Sequence, residues 1–338
     1  RIKKMIKKRN LDASLIQWIM SVTGLGPGVG EIKYVAPATS STSQFRVQLE
    51  SMGTLSGDIY TTPAKAEAAM EGYRNDVMLV APGSYAGTTS LAWDKDYSHA
   101  IGLAGPRSWS DYGEPGVSMY TTTAAQANFI NITGDYCQFH GINFANNGAN
   151  TGNLSAVLLN GYGGIMKGCS FDGAMNTTNC VAAAAAVYVH SSAHDYVFED
   201  CRIGDASWFT RDSANCGQLS FTGTNSYNGL FKKCLFQMSS ATATCALVRV
   251  ASNNGLRLDT IFDNCIFVNE NTNWGGNLNQ VFYQNGQAQT TCRILLKDCC
   301  MSGFDEWQDS DYASMFQSNM TVATVGGGIC IEPTATIS

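Results

Sequence analysis

Acidic side chains gather at two places in the sequence: Asp205 with Asp212, and Asp305, Glu306, Asp309 and Asp311. Two carboxylates facing one bond can act as acid and base in hydrolysis, and a cluster of carboxylates can hold calcium. The second group surrounds Trp307 and Tyr312, and Trp208 and Trp274 stand in comparable polar stretches upstream. Flat rings in loops stack against sugars, so Trp208, Trp274, Trp307 and Tyr312 are the candidates for glycan binding; packing within the loops is the competing account. The acids read more simply as solvated loop residues. His190 and His194 have no Ser and Asp at a spacing that would build a nucleophile–base–orienter triad. No catalytic residue is assigned.

Twelve cysteines invite a metal or disulfide reading. No Cys-x-x-Cys pair occurs, and the main cysteine spacing is far longer than that of a zinc site. No metal ligand set and no cofactor motif is expected. Gly24-Leu25-Gly26-Pro27-Gly28-Val29-Gly30 is superficially like a phosphate loop, but an apolar helical pattern precedes it where a strand is required, and no Lys-Ser/Thr pair follows. It reads as a linker.

These side chains must be placed by a chain of 338 residues that is 44% hydrophobic and only 14% charged, with 34 glycines. That composition supports a packed core and excludes disorder, collagen and long coiled coil. The longest apolar run, 181–189, is too short for a membrane-spanning helix. The net charge of −6 hides an asymmetry. Arg1, Lys3, Lys4, Lys7, Lys8 and Arg9 put six positive charges at the start, and the remainder carries a balance of −12. A nucleic-acid-binding body would be basic, so no nucleic acid is expected on it. Leu15, Ile16, Trp18 and Ile19 follow at near-helical spacing, which makes residues 1–34 a candidate docking arm that orders on a partner. An unstructured tail is the alternative. A secretory signal has the same basic-then-apolar order, but Asp12 and Gln17 interrupt the apolar part.

Internal repetition fixes the architecture. Phe139–Phe144, Met166–Phe171, Phe198–Ile203, Phe231–Phe236, Phe262–Phe267 and Leu296–Met301 share the pattern apolar-x-(Gly/Asp)-Cys/Ile-x-apolar. Their anchors, Ile142, Cys169, Cys201, Cys234, Cys265 and Cys299, are 27, 32, 33, 31 and 34 residues apart. Side chains alternate along a strand, so Cys and the second apolar residue share a face, and a corner must intervene for the first to point inward too. Gly141, Gly168, Asp200, Lys233, Asn264 and Asp298 occupy that corner; all but Lys233 tolerate a left-handed backbone well. A second strand lies upstream, at 157–159, 187–189, 219–221, 248–250 and 281–283. Short strands separated by Asn/Gly/Ser turns in each repeat describe one coil of a parallel β-solenoid of about 8–9 coils, a rod roughly 40 Å long at about 4.8 Å per coil.

Asp76–Tyr85 is similar to the opening coil of the pectate-lyase-like, right-handed parallel β-helix superfamily, and Thr62-Pro63 followed by residues 64–73 suits the helix that covers its open end. The resemblance implies an all-β, right-handed parallel β-helix at 75–303, a lead-in and capping helix at 35–74, and a closing or oligomerisation segment at 304–338. The anchor cysteines then form one buried column of free thiols, and Cys216 and Cys245 start another. Lys167, Glu199, Lys232, Asp263 and Lys297 form an outward ladder of alternating sign, and Asn143, Ser170, Arg202, Leu235, Ile266 and Cys300 an outward column that turns apolar.

Polysaccharide lyases and hydrolases of that superfamily carry their acids on the outer side of the first strand. Here that column reads Leu158, Tyr188, Ser220, Arg249 and Phe282, without a carboxylate. The expectation is therefore a non-enzymatic phage virion protein, a capsid decoration or surface spike resembling tailspike β-helices. It would assemble in the host cytoplasm and anchor to other virion proteins through the arm. The resemblance implies a homotrimer, and a cell-surface glycan is a possible partner. The alternative is a polysaccharide-degrading or glycan-binding tailspike-type β-helix, or an extracellular surface protein.

Overall fold

The structure is a computed structural model and describes residues 18, 21–22, 30–37, 44–51, 56–106, 116–174, 184–204, 216–223, 226–240, 242, 245–250, 256, 259–270, 278–284, 294–308, 315–318, 321–324 and 328–333. Three parallel sheets wind around one core as a right-handed parallel β-helix, and each coil contributes a strand to the first, second and third sheet in turn. The first sheet has eight described strands, from Leu91–Trp93 to Phe304–Gln308. The second has eleven, ending at Met315–Ser318, and the third has ten.

The repeat maps onto this winding as the sequence pattern requires. The corner lies between the second and third strands, and Gly141, Gly168, Asp200, Lys233, Asn264 and Asp298 all adopt φ between 51° and 63° there. Lys233 does so because its N–H donates to the carbonyl of Asp263 in the next coil, the same bond that pins Gly168 to Glu199 and Asn264 to Lys297. The inter-coil hydrogen bond outweighs the left-handed cost of a side chain with a Cβ.

Inside, Phe198, Phe231 and Phe262 stack at 4.9 and 4.8 Å between centroids, and Phe236 stacks on Phe267 at 4.8 Å. Beside them runs the sulfur column. Cys169, Cys201, Cys234, Cys265 and Cys299 are buried and free. Their thiols donate to the carbonyls of Phe139, Met166, Phe198, Phe231 and Phe262 at 3.3 to 3.4 Å. Each sulfur therefore fills the core and satisfies a carbonyl contact to the previous coil. Burial pushes the Cys169 thiol up to about 12, so it stays protonated. Cys216 and Cys245 form the expected second sulfur contact, with Sγ atoms 3.2 Å apart.

The winding extends beyond 75–303 at both ends. Ile32–Val35 joins the second sheet between Val77–Val80 and Ile59–Tyr60. Phe304–Gln308, Met315–Ser318 and Thr321–Thr324 continue the three sheets for a further coil, and Gly328–Pro333 turns back antiparallel on the last of them. The segment 304–338 is thus partly coil, because Phe304 and Trp307 supply the same buried apolar positions as earlier coils.

The capping helix, α2, spans Pro63–Ala68, with the Thr62 hydroxyl accepting from the Lys65 N–H and Pro63 in the first turn. Its Ala66, followed by Met70, enters the main core beside Met78, Val80 and Trp93. An earlier helix, α1 (Gln44–Ser51), has no clear signal in the sequence. Its Phe45 and Leu49 cover an apolar patch formed by Ile32, Tyr34, Val77, Leu79 and Ile101. These second-sheet residues would face water without it.

Of the proposed docking arm, Trp18, Ser21, Val22 and residues 30–34 fall within the described residues; Trp18 is exposed and its carbonyl accepts from the Ser21 hydroxyl, whereas Ile32, Lys33 and Tyr34 belong to the second sheet, so the arm does not extend to residue 34. Arg1, Lys3, Lys4, Lys7, Lys8, Arg9, Leu15, Ile16 and Ile19 lie outside the described residues.

Candidate functional surfaces

Because the winding places one residue of each coil directly above its counterpart, a functional surface on this rod is a column. Four columns carry the side chains of interest.

The outward column of the first sheet runs Ala92, Asn131, Leu158, Tyr188, Ser220, Arg249 and Tyr283 by strand register. Tyr283, and not Phe282, is the partner of Arg249; Phe282 pairs with Val248 and points into the core. The sequence reading was displaced because the strand is longer here, Leu278–Gln284, and two of its adjacent residues, Val281 and Phe282, are both buried. Tyr188, Ser220 and Arg249 are themselves nearly covered. The Arg249 guanidinium lies 5.1 Å from the centre of the Tyr283 ring, a cation–π contact, and its stem packs over Gly217. Burial holds the Arg249 guanidinium below its usual range, against the pull of Tyr283, Cys216 and Cys245. No carboxylate stands in this column from Ala92 to Tyr283. At the last described coil, Asp305 and Glu306 are exposed on the first sheet, with Glu306 in register with Gln280.

The second-sheet column is the alternating-charge ladder. Lys167 and Lys232 both reach Glu199, at 3.1 and 3.5 Å, and Lys297 reaches Asp263 at 3.1 Å. These half-exposed pairs are worth little individually and do no chemistry.

On the third sheet the column runs Ser118, Asn143, Ser170, Arg202, Leu235, Ile266 and Cys300, as the repeat predicts. A carboxylate unseen by sequence reasoning joins its polar half. A register shift opposite Phe144/Ala145 leaves Asp172 as an extra residue, and the bulge turns it toward Ser170 and Arg202. Asp172 is fully buried; its Oδ1 accepts from the Ser170 hydroxyl at 3.2 Å and from Arg202 Nη2 at 3.1 Å, while Arg202 Nε donates to Ser170 Oγ at 3.1 Å. The only prior signal was the Asp172-Gly173 pair, with Gly173 at φ 64°. A single carboxylate locked to a guanidinium positions strands; it lacks the second carboxylate that sugar hydrolysis requires. Farther along, the column becomes apolar, and Ile266 is 45% exposed.

The fourth column lies in the turn between the first and second strands. Tyr73, Tyr97, Tyr136, Tyr162, His194 and Tyr227 form an unbroken row, with ring centres 6.0, 5.0, 5.4, 5.9 and 4.0 Å apart. Sequence reasoning missed it, since these residues fall outside the six-residue repeat; the paired Asp96-Tyr97 and Asp135-Tyr136 were the available signal.

Among the sequence-predicted glycan candidates, Trp307 is 5% exposed and packs against Phe267 and Phe282, so its faces serve the core and cannot stack a sugar. Trp208, Trp274 and Tyr312 lie outside the described residues, as do Asp205, Asp212, Asp309 and Asp311. His190 Nδ1 meets both Asn160 Oδ1 and the adjacent Ser191 Oγ at 3.0 Å. Both contacts fall on one nitrogen, so the imidazole either donates to Asn160 or accepts from Ser191, and no carboxylate orients it. No group of three or more potential metal ligands occurs among the described residues.

No family model matches the chain. No curated protein matches it either. Solved structures do. Pectin methylesterase from Aspergillus niger in deglycosylated form is 13% identical over 87% of this chain and 84% of its own, with a TM-score of 0.51. The same enzyme in penultimately deglycosylated form gives the same identity and coverage with a TM-score of 0.50. Pectin methylesterase PemA from Erwinia chrysanthemi is 12% identical over 87% of this chain and 90% of its own, at 0.44. Identity this low speaks to the path of the chain and leaves activity open. The coil order, the left-handed corners and the two Aspergillus niger matches together establish a right-handed parallel β-helix fold for this chain.

Proposed function

We propose that this chain is a non-enzymatic structural protein of a phage virion, a head decoration or surface spike. Its N-terminal arm attaches to other virion proteins and its β-helix projects outward. The observation that carries the reading is the first-sheet column Ala92, Asn131, Leu158, Tyr188, Ser220, Arg249 and Tyr283. It offers neither a pair of carboxylates for hydrolysis nor a base beside metal-binding acids for elimination. Its one cation is sunk against a tyrosine ring.

The apolar half of the third-sheet column, Leu235, Ile266 and Cys300, supports association of parallel copies, and a homotrimer is proposed. A sedimentation run at micromolar concentration that shows only monomer would remove the trimer. The virion role is tested by asking whether the native protein co-purifies with a symmetric particle, and whether a chain lacking residues 1–29, which leaves the Ile32–Val35 strand in place, still does. Unchanged incorporation without the arm would overturn the anchoring role.

The competing reading is a polysaccharide-degrading β-helix, and the exposed Asp305 and Glu306 at the last described coil favour it. Release of reducing ends or unsaturated products from a polysaccharide panel would establish that reading and defeat the non-enzymatic one.

A further inference from the structure

The aromatic row of the first turn is built at a cost that its packing does not explain. Tyr73, Tyr97 and Tyr136 have φ of 59°, 56° and 56°, a left-handed conformation that a bulky side chain rarely adopts. In the next coils the same turn position is taken by Gly163, Asp195 and Asn228, residues that accept it readily. The turn therefore does not need tyrosine. Nor does burial repay it, because Tyr73, Tyr97 and Tyr136 are 79%, 37% and 42% exposed. Strain held at an exposed position points toward use of the side chain.

The row is also prepared for a polar ligand. The Asp96 carboxylate holds the Tyr73 hydroxyl above its usual range and Asp195 does the same for the Tyr162 hydroxyl, while Asp195 accepts from Asn228 Nδ2 at 2.7 Å. The Asp135 carboxylate accepts from the Tyr162 backbone N–H, and the Asp96 carboxylate from that of Asp135. Rings and carboxylates thus alternate along a fixed edge. The step of one ring per coil, set by the strand spacing of about 4.8 Å, is close to the advance of one pyranose along an extended glycan. The charge around the row is negative: Asp96, Asp135 and Asp195 line it, while Lys95 is tied to Asp94 and Glu67, and Arg74 to Asp76, Glu71 and Glu31. Tyr97 stacks on Tyr136 and His194 on Tyr227, so the row offers ring edges outward; an acidic polysaccharide would be repelled, whereas sugar hydroxyls can donate to the carboxylates as the sugar packs against those edges.

We infer that the row from Tyr73 to Tyr227 is a binding site for an extended, neutral polysaccharide. The site is separate from the first-sheet column and stands whether or not the chain belongs to a virion.

The test is affinity electrophoresis of the full chain in native gels containing dextran, mixed-linkage β-glucan or galactomannan, with polygalacturonate and alginate as anionic counterparts. At least one neutral polymer retards the protein and the anionic ones do not. The variant Tyr97→Gly/Tyr136→Gly keeps the backbone conformation and relieves its strain. It weakens retardation by about tenfold or more without lowering the melting temperature. Retardation by none of the neutral polymers, equal retardation of the variant, or preference for the anionic polymers would overturn the inference. So would a fall in melting temperature with binding unaffected, which would make the row a packing device.

Discussion

The ring of Tyr136 lies against Gly163 in the next coil so closely that a Cβ at Gly163 would come within 2.5 Å of Tyr136 Cδ1. Gly163 also has φ 65°, and its N–H donates to the His194 carbonyl, so this glycine sets both the turn and the seat of the ring above it. Gly163→Ala must displace Tyr136 and adopt a left-handed backbone. The expected result is a loss of about 1–2 kcal/mol of stability and a changed tyrosine circular dichroism signal near 280 nm, roughly the aromatic absorption region. An unchanged near-ultraviolet spectrum in a stably folded variant would show that the contact does not hold the ring.

Two buried histidines make the rod acid-sensitive. Burial, with His140 nearby, holds His99 down to about 4, against the pull of Asp76; burial, with Lys167 nearby, holds His140 down to about 4. In the unfolded chain both protonate as pH falls through about 6.5, while in the folded chain they remain neutral until about 4. The unfolded state therefore binds more protons in that window, and stability falls as pH drops from about 6.5 to about 4, by roughly 3 kcal/mol per histidine at most. Melting temperatures between pH 7.5 and 4.5 should decline, and His99→Gln/His140→Gln should flatten the profile. A wild-type profile already flat over that range would refute the assignment.

The sulfur column predicts silence in the native state and a cost on removal. Cys169, Cys201, Cys234 and Cys265 should resist a thiol reagent in the folded protein and react on denaturation, since all are buried and free. Cys234→Ala leaves a small void between Phe198 and its neighbours and should cost about 1–2 kcal/mol. Cys234→Ser should keep the hydrogen bond to the Phe198 carbonyl that the thiol makes at 3.4 Å. Denaturant midpoints rank the three proteins; an Ala variant as stable as the parent would argue against tight packing around the column.

The ion pair of the third sheet is asymmetric in its exposure. The Asp172 side chain is fully buried and that of Arg202 is 27% exposed. Asp172→Ala leaves a partly covered guanidinium without that carboxylate and should cost roughly 3 kcal/mol, more than the double change Asp172→Ala/Arg202→Met. Additive losses across the double-mutant cycle would show that the two side chains are not coupled.

The order of sheets, the corner between second and third strands, the cysteine column and the alternating-charge ladder were all legible in the sequence. Each is a consequence of one rule, that residues about one coil apart stack, and a spacing near 32 residues displays the stack directly. Lys233 conformed to that rule against its own propensity, since an inter-coil hydrogen bond determined its backbone. What the sequence could not decide is where the period slips or where a second element intrudes. The bulge that turns Asp172 onto Arg202, the longer strand that put Tyr283 beneath Arg249, the covering of Ile32 and Leu79 by α1, and the withdrawal of Trp307 into the core all depend on local register and on what lies above a given coil. The tyrosine row belongs with these. Its members are separated by uneven intervals in the chain, from Tyr73 to Tyr97, Tyr136 and Tyr162, and only the winding, which absorbs unequal loops between equal strands, brings them into line.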